Sequence, residues 1–183
     1  MKNTLFLILF SLLFIGKISA QDNKKATEIP DTRILLSDKW LGEWNGEMKV
    51  IGVPKMDKVD VKLIIKGEKN ASKWVWSLKY GTQPAREYEL LGKDTQKGKY
   101  IIDEKNSILL ETYFSQDVMT AIFEVEGNQI MTVYRLENDN LIFENTTIKP
   151  AKVMKTGAGD KNTPEVKTYP IAGFQRAVLK KNK

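Results

Sequence analysis

The chain contains no cysteine and no histidine. Without cysteine there is no disulfide, no thiol nucleophile and no thiolate metal site. Without histidine the commonest general base and the commonest metal ligand are gone. No Gly-x-Ser-x-Gly stretch and no Ser-x-x-Lys pairing occurs. No loop has the ligand spacing of a calcium site. Glu124 and Glu126 share a strand face, but pairs of that kind are common on solvated surfaces and do not by themselves make a glycosidase site. The expectation is a protein that is not an enzyme and needs no cofactor. Its prolines are few and fall at Pro30, Pro54, Pro84, Pro150, Pro164 and Pro170, in connections between patterned segments.

Long apolar runs are also missing, apart from one at the start. Leu5 to Ile15 is broken only by Ser11, is preceded by Lys2 and is followed by Ile18-Ser19-Ala20. A basic start, a short apolar stretch and small residues at a cut site form a secretion signal. The run is shorter than the ~20 residues that cross a bilayer as a helix. An uncleaved membrane anchor is the alternative. Residues 1–20 are therefore expected to be a signal peptide, and the mature protein to be periplasmic or secreted without stable membrane insertion. Cleavage after Ala20 takes 20 of the 183 residues and leaves 163, the length of one domain. A chain of that size buries roughly 70% of its unfolded surface, enough for a core without disulfides.

The formal net charge of +6 falls to +4 once Lys2 and Lys17 leave with the signal. Charges of both signs are interleaved, and the one basic cluster is the tail, Lys180, Lys181 and Lys183. A nucleic-acid surface needs a basic face with aromatics set on it, so no nucleic-acid partner is expected. Oligomeric state has no signature in the sequence.

What is present is a period of two. Residues 21–39 are a polar lead-in with room for a short helix, capped by Asp31 and turning Ile34 and Leu35 inward. From Trp40 to Val53, Gly42, Trp44, Gly46, Met48 and Val50 alternate with Glu43, Asn45, Glu47 and Lys49. This is the pattern of a half-buried antiparallel strand. The same grammar recurs at 59–66, 74–80, 86–92, 99–103, 108–114, 118–125, 129–136, 141–148 and 173–179. Turns such as Glu126-Gly127-Asn128 and Asn138-Asp139-Asn140 join neighbours into hairpins. A meander of about ten strands leaves two open edges unless it closes. An all-β up-and-down antiparallel barrel over residues 40–183 removes them. A two-sheet sandwich is the rival. One connection, residues 149–172, is long and reads either as a floppy insertion or as a lid over the barrel mouth.

Leu41-Gly42-Glu43-Trp44-Asn45-Gly46 resembles the Gly-x-Trp signature of the lipocalin and wider calycin families. The resemblance implies a barrel that binds a small apolar or amphipathic molecule. It also implies a basic residue on the closing strand packed over the tryptophan. Arg176, within Phe174-Gln175-Arg176-Ala177-Val178, is the residue this points to. Small ten-stranded calycins bind haem through a histidine, which this chain lacks, so that chemistry is excluded in its usual form.

The candidate cavity residues are Trp74, Trp76, Tyr80, Arg86, Tyr88, Phe123 and Tyr134. Core packing is the competing reading for them. Burying ~400 Å² of apolar ligand is worth about 10 kcal/mol gross, and association takes several kcal/mol of that. A polar anchor then decides specificity, and Arg86 and Arg176 are the candidates. A ligand-free barrel filled by its own side chains, acting through its surface or long loop, is the second functional reading. Asn70-Ala71-Ser72 and Asn145-Thr146-Thr147 fit the acceptor pattern for N-glycosylation.

Overall fold

The computed structural model describes residues 33–51, 58–68 and 71–182. The signal segment, Asp31 and Asn70 lie outside them. Among the described residues twelve strands are present: β1 (Gly42–Ile51), β2 (Lys58–Lys66), β3 (Lys73–Tyr80), β4 (Arg86–Asp94), β5 (Lys99–Asp103), β6 (Leu109–Ser115), β7 (Val118–Val125), β8 (Asn128–Glu137), β9 (Asn140–Ile148), β10 (Met154–Thr156), β11 (Val166–Thr168) and β12 (Ile171–Lys181). Ten of them close into one antiparallel barrel in the order β1-β12-β9-β8-β7-β6-β5-β4-β3-β2.

The closing seam pairs Trp44 with Lys181, Met48 with Ala177 and Ile51 with Phe174. A two-sheet sandwich is thereby excluded, and the edges that a meander would leave open are paired. Three hairpin turns are tight. Gln116-Asp117, Glu126-Gly127 and Asn138-Asp139 all have positive φ at both central residues. That handedness matches the twist of the flanking strands, which is why two residues suffice to reverse the chain.

Alternation sets the inside of the barrel. Trp44 and Met48 of β1, Val61, Leu63 and Ile65 of β2, and Trp74, Trp76 and Leu78 of β3 are buried, while lysines and carboxylates occupy many of the positions between. One end is packed shut with aromatic rings. Trp40 meets Phe114 edge-on at 5.5 Å, Tyr100 meets Phe114 at 6.0 Å and 90°, and Trp74 lies 6.0 Å from Tyr100. Edge-to-face pairs of this kind add about 0.5–1.5 kcal/mol each beyond the area they bury.

The lead-in supplies the stopper. Residues 33–37 carry no regular secondary structure and 38–40 form a turn, so the expected short helix is absent there. The reason is competition for backbone groups. The Ile34 amide donates to the Thr95 carbonyl at 2.8 Å, and the Tyr100 hydroxyl donates to the Ile34 carbonyl. These bonds to the barrel replace the helical ones. Trp40 is then drawn in, its indole N–H donating to Asp117 Oδ1 at 2.9 Å, while the Trp44 indole donates to the Trp40 carbonyl at 2.9 Å. Both polar tips are satisfied inside the apolar plug.

Residues 149–172 contain a short paired hairpin. A 3₁₀ turn at Pro150–Lys152 leads into β10, which pairs with β11 through Met154↔Thr168, Lys155↔Lys167 and Thr156↔Val166. The tip is built by Asp160, whose Oδ1 accepts from the amides of Asn162 and Thr163 at 2.9 and 2.7 Å. The result is a short exposed hairpin arm, rooted between β9 and β12. Among the described residues no helix is long and apolar enough to cross a membrane.

Candidate functional site

At the end opposite the plug the barrel holds a half-open cavity of about 240 Å³. Its floor is aromatic. Tyr134 stacks on Phe143 at 4.3 Å and 10°, and Trp76 stands edge-on to Tyr134 at 5.1 Å. Ile102, Leu110, Ala121, Phe123 and Ile130 form an apolar wall from β5 to β8. Thr132, Asn145, Thr147 and Gln175 form a polar wall from β8, β9 and β12.

The cationic feature is at the mouth. Arg86 begins β4 and is exposed, and its guanidinium carbon lies 5.4 Å from the centre of the Tyr80 ring. Hydrogen bonding to Tyr88 above all, with a smaller contribution from Glu104, holds the guanidinium's pKa above its ordinary value. Arg86 is thus a permanent cation held over an aromatic face. Burial pushes the Tyr80 hydroxyl up to about 12, with the Arg86 charge and, less strongly, Asn145 pulling the other way. Burial also holds Tyr134 well above its ordinary value. Neither phenol ionises near neutral pH, so both act as neutral hydrogen-bonding groups.

Comparison of the chain with family models, curated proteins and solved structures returns no match.

The site is therefore read from its own geometry. Six expected cavity residues, Trp76, Tyr80, Arg86, Tyr88, Phe123 and Tyr134, line one space. Trp74 does not. It shares their face, but it sits nearer the plugged end, against Tyr100 and close beneath Gly67. Face follows from the alternation, whereas depth in the barrel follows from strand register, and Trp74 is on the wrong side of the aromatic floor.

Arg176 is a second correction. It faces out, pairs across the seam with Lys49, and its Nε lies 3.5 Å from Glu144, which also binds Arg135 at 2.5 Å. It therefore cannot serve as a cavity anchor or cover Trp44. The cation over Trp44 is Lys181, its Nζ 5.2 Å from the ring centre. Parity explains the exchange. Lys181 lies directly opposite Trp44, and positions on its face are two residues apart, so Arg176 falls on the outer face.

Among the polar lining residues, strand reading passed over Glu104, Thr132, Asn145, Thr147 and Gln175. Each resembles an ordinary solvated residue in the sequence. The inward parity of Asn145 was the available signal. Asn145 faces this cavity and bonds to Thr132, so its acceptor pattern does not present a surface asparagine. Among the described residues no cluster of acidic side chains comes together to hold a metal ion.

Proposed function

We propose that this protein is an exported, lipocalin-like barrel that binds a small amphipathic molecule in the cavity above Trp76. The observation that carries the reading is a half-open hollow inside the barrel, with three aromatic rings at its base and Arg86 at its rim. Core packing alone would leave no such space, since interiors are filled to crystal-like density.

The size of the hollow narrows the ligand. At about 240 Å³ it lies just below the ~300–1,000 Å³ of most small-molecule pockets. It suits one or two rings and is too small to enclose a tetrapyrrole. Burying ~200 Å² of such a ligand is worth about 5 kcal/mol gross, roughly what association consumes at the low end of its range. Apolar contact therefore breaks even, and a charged contact to Arg86 gives net affinity to an anionic group.

A second reading takes the protein as an interaction module acting through its arm. It is supported by Met154, Val166, Tyr169 and Ile171, all exposed on the arm or at its root. The two readings part in one experiment. Naphthoate is titrated into the full mature protein while amide chemical shifts are followed. The binding reading expects shifts confined to cavity residues such as Thr132 and Asn145, and about tenfold weaker affinity in Arg86→Ala, equivalent to ~1.4 kcal/mol. No shift in the cavity at saturating naphthoate would overturn it.

A further inference from the structure

The inner face of the barrel is layered, and one layer is out of place. At the mouth Phe123, Ile130, Thr147 and Gly173 pair across β7, β8, β9 and β12. One step inward come Ala121, Thr132, Asn145 and Gln175. Below them lie Met119, Tyr134, Phe143 and Ala177. The second layer is more polar than the rim above it. Solvation alone would arrange the two the other way, with amides outermost and Phe123 and Ile130 deeper.

The polar layer is also a directed chain. Thr132 Oγ1 donates to Asn145 Oδ1 at 2.7 Å, and Asn145 Nδ2 donates to Gln175 Oε1 at 3.3 Å. The chain therefore has two unlike ends. At β12 the Gln175 NH₂ group retains its donors, and at β8 the Thr132 hydroxyl oxygen retains lone pairs. Below both lies the stacked pair Tyr134 and Phe143, a flat platform.

We infer that the ligand is a flat one- or two-ring molecule whose edge carries a hydrogen-bond acceptor beside a donor, in the manner of a lactam. Its acceptor faces Gln175 and its donor faces Thr132. An anionic substituent, where present, reaches Arg86. This rests on the amphipathic-binding reading and goes beyond it, because a purely apolar guest would leave the polar layer unmatched.

The test uses two probes of equal size and charge on the full mature protein, measured by calorimetry. Naphthoate offers the rings and the anion alone, and carbostyril carboxylate adds the lactam edge. The wild type is expected to prefer the lactam by about tenfold. The isosteric pair Asn145→Leu and Gln175→Met is expected to abolish that preference, so that carbostyril carboxylate binds no more tightly than naphthoate. Thr132→Val, a smaller change, is expected to reduce the preference without removing it. Equal affinities in the wild type, with naphthoate still bound, would overturn the lactam assignment and spare the broader reading. Failure of both probes to bind would overturn the two together.

Discussion

Lys181, near the end of the last strand, stands over the ring of Trp44, near the start of the first, with 5.2 Å between ammonium and ring centre. The two are direct partners in the seam that closes the barrel. Lys181 Nζ also donates to the Lys39 carbonyl at 3.1 Å, so the same cation ties the seam to the stopper segment. A lysine here does what the family resemblance assigned to an arginine. It does so through a point charge rather than a planar stack.

That pair separates burial from charge. Trp44 is 2% exposed, and Trp44→Ala is expected to lower the unfolding free energy by ~3–5 kcal/mol. Lys181→Met keeps the apolar stem and removes the cation, which as an exposed ammonium over the ring is worth ~0.5–1 kcal/mol. Urea unfolding followed by tryptophan emission measures both. A Trp44→Ala loss below ~1 kcal/mol would mean the indole does not plug the barrel.

Two glycines with similar backbone angles should respond differently to alanine. Gly98 has φ +66°, and a Cβ there would meet the Phe114 carbonyl oxygen at 2.2 Å. Gly127 has φ +69° and open space around it. Gly127→Ala carries only the left-handed penalty of ~1–2 kcal/mol. Gly98→Ala adds an overlap with backbone and is expected to cost a further ~1–3 kcal/mol. Equal losses in thermal unfolding would show that the β4–β5 connection yields to the methyl group.

Alkaline stability follows from the buried phenols. Burial raises Tyr80 and Tyr100 to about 12, and holds Tyr134 well above its ordinary value. An unfolded tyrosine ionises near ~10. Between those values the folded state holds more protons than the unfolded one, so stability falls as pH rises. The contribution of these groups is complete below the unfolded pKa and is lost as pH passes the folded values. Denaturant midpoints taken at increasing pH are expected to drop steeply above about 10. Tyr80→Phe and Tyr100→Phe should each make that drop shallower. A midpoint that stays flat to pH ~12 would contradict the burial of these hydroxyls.

Much of the fold is legible in the sequence. Alternation over Gly42–Val50 or Trp74–Tyr80 needs only that one face be apolar, and turn residues such as Glu126-Gly127 report a local backbone need. Both are short-range facts, written directly into neighbouring residues. The closing of the first strand on the last also follows, because open edges are costly wherever they lie. Six aromatic or cationic cavity residues were found by the same parity.

Depth, pairing partner and hollow were not legible, because they depend on register between distant strands. Register put Trp74 below the aromatic floor and Trp76 on it, although they are two residues apart on one face. It set Lys181, not Arg176, opposite Trp44. It also brought Thr132, Asn145 and Gln175 into one hydrogen-bonded layer from three separate strands. The sequence alone determined which way each side chain points. Only the closed barrel decided how far along its axis each one stands, since that is fixed by hydrogen bonds between chains of residues remote from one another.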